Sequence, residues 1–269
     1  MKTSSCSFGI HLSCPISSLS SKAVSLKFNK ETSDAARRLR VGGSLRELSG
    51  DFIAGLVTSD GVFSALLVRR GNKNNYRFRI DLKFTIQLSR TESNKNLLLG
   101  LKEKFDNKGN FILYKKQNNT ILYQITNQKD LLNVVIPFFM NYQLRGEKLL
   151  SFLRFKYILE SVLTKSHLKD KNILLSLIVI GGLCNPNNKF GNKIRYLKPD
   201  EIYYVKNNII PEGVDISELT ESIANFKPQP LTLDFVHGLF ELNTDNFFKL
   251  GKQDQNYILE NFLPKGLEH

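Results

Sequence analysis

The clearest hydrophobic pattern in the chain is an unbroken alternation of polar and apolar positions over residues 77–89. The apolar side chains share one face of this segment and the polar side chains share the other, which predicts a half-buried strand of an antiparallel sheet. Residues 63–70 are predicted to be its partner strand, because an asparagine-rich turn at 71–75 separates the two. Residues 110–116 and 120–126 predict a second hairpin.

Helical spacing of apolar residues surrounds these hairpins. The first such segment opens at Ser49 with an acidic residue in its first turn and closes at Asp60 and Gly61, where glycine stops the helix. Further helices are predicted at 92–105, 129–142 with a kink or division at Pro137, 147–165 and 171–183. Helices that flank hairpins in this order predict an α+β fold, with a curved antiparallel sheet of about four strands and the helices on one face.

The remaining segments define the predicted domain boundaries. Residues 1–47 read as an N-terminal extension and residues 48–184 as the α+β domain. Residues 185–229 carry scattered prolines and read as a linker with short helical or strand pieces. A further apolar helix is predicted at 231–248, within a C-terminal segment covering 230–269.

Charge is distributed unevenly along the chain, and this favours a polyanionic partner for its first part. The formal net charge is +13, but residues 1–199 hold 33 basic and 13 acidic side chains, whereas residues 200–269 hold 5 basic and 12 acidic ones. Residues 62–90 alone contain seven basic side chains and one acid, Asp81. So biased a strand face favours nucleic acid over a merely solvated surface, which is usually mixed in sign.

The predicted nucleic-acid contacts are the polar side chains of this hairpin. They combine phosphate-binding cations with hydroxyl and amide groups that can read base edges. The candidate residues are Arg69, Arg70, Lys73, Arg77, Arg79, Lys83, Thr85 and Gln87.

Residues 1–47 are rich in serine, basic and poor in acids, which is the composition of an organelle transit peptide. A poorly ordered tail is the competing interpretation. The longest apolar run, residues 173–184, is shorter than the ~18–20 residues that span a bilayer, so no membrane association is expected. Three scattered cysteines do not form a disulfide framework, and a reducing compartment is expected.

The segment FIAGLVTSDGVF, residues 52–63, resembles the signature of the LAGLIDADG homing endonucleases. The hairpins, the helix between them and the stretch KYILESVLTKSHLKDKN at 156–172 resemble the first structural repeat of that family in order and spacing. A second, degenerate signature matches at 234–248, so residues 230–269 are interpreted as the remnant of a second repeat. The resemblance implies that two signature helices pack together through small residues such as Gly55 and Gly238.

The resemblance also implies the catalytic residues. Asp60 matches the carboxylate that holds a divalent ion, expected to be Mg²⁺ in an active enzyme. Aligning Gly238 with Gly55 puts Asn243 at the second catalytic position, where a neutral amide is a weaker metal ligand, so impaired cleavage is expected. Lys129 resembles the pocket lysine of the family, and an ordinary lysine at a helix start is the competing interpretation.

Two functions follow from the resemblance. The first is site-specific recognition of double-stranded DNA with metal-dependent phosphodiester cleavage, reduced by Asn243. The alternative is a domesticated, non-cleaving descendant that binds structured RNA as an intron maturase or as a component of an organellar ribosome. A second chain that completes the site, or a ribonucleoprotein assembly, is a further possible partner. An AT-rich coding composition and residues 1–47 favour an organelle, with the mitochondrion ahead of the chloroplast.

Overall fold

The computed structural model describes residues 48–70, 77–114, 119–184, 199–242 and 244–262. The predicted N-terminal extension, Lys73 and Asn243 lie outside these ranges.

The chain begins with helix α1, Gly50–Asp60, followed at once by strand β1, Gly61–Arg70. Ser49 caps the helix, because its side chain accepts a hydrogen bond from the Phe52 backbone N–H at 3.2 Å. A glycine is needed where the helix meets the strand, since a Cβ on Gly61 would lie 2.8 Å from the carbonyl oxygen of Val57. The strand therefore starts two residues earlier than the apolar pattern predicted.

Two hairpins form one antiparallel sheet with the strand order β1-β2-β4-β3. Strand β2 is Arg77–Ser89, as the alternation predicted, and it lies between β1 and β4. Strands β3 and β4 are Asn110–Tyr114 and Thr120–Ile125. Strand β4 ends one residue earlier than predicted, and residues 115 and 116 of the predicted β3 lie outside the described residues. Helix α2, Glu92–Lys104, connects the hairpins.

The inner face of the sheet carries the apolar side chains of the alternation and builds the core. Phe63 of β1 and Phe84 of β2 stack at a centroid distance of 5.2 Å, and both contact Phe139 from a covering helix. Phe152 and Phe155 pack against Phe63 from the next helix. All five rings are almost fully buried. The predicted α+β fold, with helices covering one face of the sheet, is confirmed.

Helix α3 is divided into three pieces, as Pro137 predicted: Gln128–Asp130, the π-helical Leu131–Val135 and Ile136–Asn141. The Ile136 N–H donates to the carbonyl of Leu131, five residues back, so the π-helical turn widens the helix directly before the proline. This widening accommodates a residue that has no backbone N–H.

Two further helices complete the layer on the inner face. Helix α4 is Gly146–Leu163, and helix α5 is Lys171–Cys184 after a short 3₁₀ turn at Ser166–Leu168. No helix within the described ranges is both long and apolar enough to cross a membrane.

The predicted linker contains two helices that pack on the sheet domain: α6, Pro199–Asn207, and α7, Ser217–Ala224. Val205 of α6 is buried in a small cluster with Leu67 of β1 and Val179 of α5. Leu219 of α7 belongs to the main core. Each of these two helices thus packs against the sheet domain through its own hydrophobic cluster. The domain boundaries stay a prediction.

The last elements are helix α8, Leu233–Phe240, a 3₁₀ segment, Thr244–Lys249, and helix α9, Lys252–Phe262. Thr232 caps α8, because its side chain accepts from the Phe235 N–H at 3.2 Å, in the same relation as Ser49 to α1. The side chain of Thr232 also donates to the carboxylate of Asp51 at 3.0 Å, which joins the starts of the two helices.

Helices α1 and α8 pack backbone to backbone through Gly55 and Gly238. A Cβ on Gly55 would lie 2.7 Å from the amide nitrogen of Leu239, and still closer to the carbonyl oxygen of Phe235. A Cβ on Gly238 would lie 2.9 Å from the amide nitrogen of Leu56, and still closer to the carbonyl oxygen of Phe52. The contact is reciprocal, as expected of two equivalent helices around a local twofold axis, and only glycine fits it.

We expect Gly238→Ala to destabilise the protein by about 3 kcal/mol, because the added methyl group meets backbone atoms that cannot rotate away. The gain in helix propensity from glycine to alanine, about 1 kcal/mol, is too small to offset this clash. Gly251→Ala is the matched control, since no atom lies within 4 Å of the position of its Cβ. Urea unfolding measures both; equal midpoints for the two variants would contradict the close packing.

Candidate nucleic-acid interface and carboxylate site

Asp60 is the last residue of α1 and lies half-buried where the helix meets the sheet. The hydroxyl of Ser59 donates to its carboxylate oxygen Oδ2. The side-chain position is therefore defined by the helix end and by one neighbouring hydroxyl, with the remaining carboxylate oxygen available to another partner.

Asn246 connects this carboxylate to the second signature helix. Its side chain is 1% exposed, and its Nδ2 donates both to the hydroxyl of Ser59 and to the carbonyl oxygen of Leu239 at 3.1 Å. The chain Asn246–Ser59–Asp60 thus links the segment after α8 to the end of α1. Sequence reasoning missed Asn246, because it follows the polar residues Thr244 and Asp245 and no local pattern distinguishes it from them.

A cationic side chain lies on the other side of Asp60. The ammonium group of Lys148, on α4, donates to the carbonyl oxygen of Gly61, the residue after Asp60. Burial lowers the pKa of Lys148, the charge of Lys249 lowers it further, and the carboxylate of Asp60 partly offsets both. Lys148 was also absent from the predicted site, because its separation of 87 positions from Gly61 hides the contact.

The residues described around Asp60 do not complete a divalent-metal site. Mg²⁺ prefers several oxygen ligands, and within the described ranges no group of three His, Cys, Asp or Glu side chains lies close enough to hold an ion. The carbonyl of Gly61 is occupied by Lys148, and Asn243, the predicted second position, lies outside the described residues. Asp60 is a single carboxylate beside a lysine.

The outer face of the sheet is the face that the helices leave uncovered. It is formed by Val62, Ser64, Leu66 and Val68 of β1, Arg79, Asp81, Lys83, Thr85 and Gln87 of β2, and Leu122 and Gln124 of β4. The amide of Gln87 donates to the Thr120 hydroxyl at 3.1 Å, and Thr85 lies across from Gln124. Four of the eight predicted contacts, Arg79, Lys83, Thr85 and Gln87, therefore have described side chains on this face.

The other predicted contacts are placed by the backbone alone. Arg70 pairs with Arg77 at the end of the β1–β2 ladder, in the register of the outer face. Arg69 pairs with Phe78, in the register of the inner face. Arg69 and Arg70 therefore have opposite register, although the same nucleic-acid contact was predicted for both.

A groove of about 950 Å³ lies beside the part of β2 that precedes Phe84, where β2 is no longer paired with β4. Lys129 lies in this groove together with Arg79 and Lys83, so the structure groups it with the basic strand. The full lining is Arg79, Asp81, Leu82, Lys83, Gln124, Thr126, Asn127, Gln128, Lys129 and Leu163. The role of Lys129 as a pocket lysine stays a prediction.

Comparison with known proteins shows which proteins this chain is similar to. The family model described as LAGLIDADG endonuclease matches residues 53–159, which run from α1 through most of α4. Residues 53–159 of the chain are therefore similar to the LAGLIDADG endonucleases, in agreement with the signature at 52–63.

Two curated relatives are similar in sequence. A probable intron-encoded DNA endonuclease 1 of Mycosarcoma maydis is 30% identical over 152 residues, which cover 56% of this chain and 53% of that protein. A probable intron-encoded endonuclease 2 of Neurospora crassa is 28% identical over 122 residues, 45% of this chain and 26% of that protein. The chain thus matches about half, or less, of the length of these relatives.

Solved structures share the fold. The I-LtrWI LAGLIDADG homing endonuclease bound to target DNA superposes with a TM-score of 0.53 at 22% identity, over 71% of this chain and 56% of that one. The LAGLIDADG meganuclease I-CpaMI bound to uncleaved DNA gives 0.52 at 22% identity, over 71% and 57%. I-SmaMI, bound to uncleaved DNA in the presence of calcium ions, gives 0.50 at 23% identity, over 71% and 57%.

We expect Asn246→Ala to destabilise the protein by about 1–3 kcal/mol, because it leaves the Leu239 carbonyl unpaired in the interior. Asn207→Ala is the control, since Asn207 makes a similar bond to a carbonyl, at 2.9 Å from Tyr203, on an exposed helix. Its effect should stay within about 0.5 kcal/mol. Urea unfolding with a shared slope measures the difference, and indistinguishable variants would show that the buried amide does not join the two helices.

Proposed function

We propose that the chain binds double-stranded DNA site-specifically through the outer face of its sheet. The observation that carries the proposal is the strong basic bias of the β1–β2 hairpin on the face that the helices leave open. The named neighbours I-LtrWI and I-CpaMI, which share the fold, were solved with DNA.

The chemistry of the outer face suits both parts of DNA recognition. Lys83 projects a cation that neutralises phosphate, which supplies affinity without sequence preference, and Arg79 lies on the same face. Thr85, Gln87 and Gln124 present hydroxyl and amide groups on the same face, and such donors and acceptors can distinguish base pairs. A two-stranded ribbon is narrow enough to enter the major groove.

We expect the triple variant Arg77→Ala, Arg79→Ala, Lys83→Ala to weaken duplex binding and to reduce the salt slope by about one unit per lost phosphate contact. The matched control removes three lysines of α2, on the other side of the sheet: Lys95, Lys102 and Lys104. Both variants lower the charge equally, so a general electrostatic effect changes them alike. Fluorescence anisotropy across a salt titration measures the slopes. Equal slopes for both triple variants would contradict the proposed interface.

Cleavage is proposed to be the weaker activity of this chain. The residues around Asp60 supply one carboxylate and a neighbouring lysine, and the matching position of the second signature is Asn243. Phosphodiester hydrolysis with two metal ions needs carboxylates that hold them roughly 3.5–4 Å apart. Mg²⁺ is the expected ion, and the chain as written is expected to bind far better than it cuts.

We expect at most slow nicking of one strand by the full chain in Mg²⁺. Asp60→Asn should abolish any nicking and spare binding, because the amide has the shape of the carboxylate without its charge. Asn243→Asp should raise the nicking rate, because it restores a carboxylate at the matching position of the second signature. A plasmid selected to contain a bound sequence reports both strands on a gel. Efficient double-strand cleavage by the unmodified chain would overturn this proposal and leave the binding proposal intact.

Binding of structured RNA by a non-cleaving descendant is the second candidate, and the neutral Asn243 is the residue that favours it. Competition between a selected duplex and folded intron RNA distinguishes the two candidate functions, because only the preferred nucleic acid displaces the labelled probe at low concentration. A ribonucleoprotein assembly belongs to this second candidate, whereas a second chain that completes the site belongs to a half-enzyme. A mitochondrial location is proposed for each of these functions. The serine-rich, basic composition of residues 1–47 supports the location.

A further inference from the structure

The only acid of the β1–β2 hairpin, Asp81, is paired with an arginine of the same face. Nη2 of Arg79 donates to Oδ2 of Asp81 at 2.7 Å, and Nε of Arg79 lies against Oδ1. The two residues are two apart on β2 and therefore project from the same side of the strand. A carboxylate that neutralises an arginine weakens its attraction to a phosphate. The ion pair with Asp81 therefore indicates a role for Arg79 other than a simple phosphate contact.

The contact leaves a specific edge of the guanidinium free. The group is planar and carries five N–H donors in a fixed arrangement, and Asp81 occupies the side formed by Nε and Nη2. The end formed by Nη1 and the second hydrogen of Nη2 stays open. This end is the pair of parallel donors that matches O6 and N7 of guanine in the major groove. The side chain of Arg79 is 42% exposed and that of Asp81 is 20% exposed, so the arginine stands outermost.

The neighbouring strand supports the pair with apolar side chains. Val68 lies directly across from Arg79 and Leu66 directly across from Asp81 in the β1–β2 ladder. Both side chains are partly buried. Apolar neighbours reduce the competition of water for the ion pair, which keeps the guanidinium in one orientation. This gives Leu66 and Val68 a role on the outer face although neither can donate or accept a hydrogen bond through its side chain.

We propose that Arg79 is a specificity-determining residue that reads a guanine in the major groove, and that Asp81 is the positioning residue that orients it. The inference rests on the proposed DNA-binding function and deepens it. The inference predicts that loss of Asp81 changes non-specific affinity and base preference in opposite directions. Loss of Asp81 removes a negative charge from the outer face, so non-specific affinity rises. The same change frees the guanidinium to rotate, so the preference for guanine falls.

The test is selection of bound duplexes from a randomised library by the full chain, followed by sequencing, at one fixed salt concentration. The unmodified chain selects a sequence that contains one strongly preferred guanine. Asp81→Asn lowers the preference at that position at least about threefold, while its affinity for random-sequence duplex is equal or higher. Arg79→Lys keeps the charge and loses the fork, and lowers the same preference by about tenfold.

Glu92→Gln is the matched control. It removes the same negative charge and breaks an ion pair of similar kind, with Lys95 at 2.6 Å, on α2. It leaves the preference at every position unchanged. A melting curve for each variant verifies folding, and both substituted carboxylates are on the surface of the protein.

The outcomes separate the inference from the function on which it rests. A chain that selects no sequence defeats the proposal of site-specific binding. A chain that selects a sequence whose base preferences are the same in Asp81→Asn overturns the inference alone, and the pair is then an ordinary surface ion pair. A preference lost in Asp81→Asn and kept in Arg79→Lys also overturns it, because Asp81 would then itself read a cytosine.

Discussion

The close contact between Gly55 and Gly238 is the constraint on which the rest of the architecture depends. Two helix backbones approach until each glycine lies against the carbonyl of the partner helix, and no side chain can occupy the space between them. Because β1 begins at the residue that follows α1, this contact also defines where the sheet starts. The position of Asp60 and the direction of the outer face are thus consequences of one backbone contact.

The same contact explains how the carboxylate end of α1 is supported. Helix α8 brings the segment after it alongside α1, so that Asn246 reaches Ser59, and Ser59 in turn holds Asp60. Lys148 approaches from α4 and binds the next carbonyl. The sheet offers many contacts for a polyanion, whereas the described residues at Asp60 offer a single anionic ligand next to a cation. This imbalance is the physical basis for proposing that binding outweighs cleavage.

Local periodicity was enough to predict most of the fold. Residues 77–89 alternate strictly because one face of β2 is buried and the other is not, and the strand has those bounds. The kink at Pro137 follows from a missing N–H, which is also a local property. The start of β1 was placed two residues late, since Gly61 was interpreted as the stop of the helix and the strand follows directly from the end of α1.

The site was harder to predict, because its contacts join residues that are distant in the sequence. The pairing of α1 with α8 was expected only from a resemblance, and Asn246 and Lys148 were not found at all. Neither has a local pattern, since each is a polar residue whose partner lies more than 80 positions away. Asp81 was counted as a lone acid. Its contact with Arg79 could not be predicted, because the alternation shows that both side chains share a face but not that they form a hydrogen bond.

The central claim is that the outer face of the sheet, and not the helical layer, contacts DNA. Photo-cross-linking tests it most directly, with a photoreactive amino acid placed in the full chain at Thr85 on the outer face or at Leu99, which is 44% exposed on α2. Helix α2 packs on the inner face through Leu98 and Leu101. The account predicts cross-links to a bound duplex from position 85 and none from position 99. Equal cross-linking from both positions, or cross-linking from position 99 alone, would contradict it.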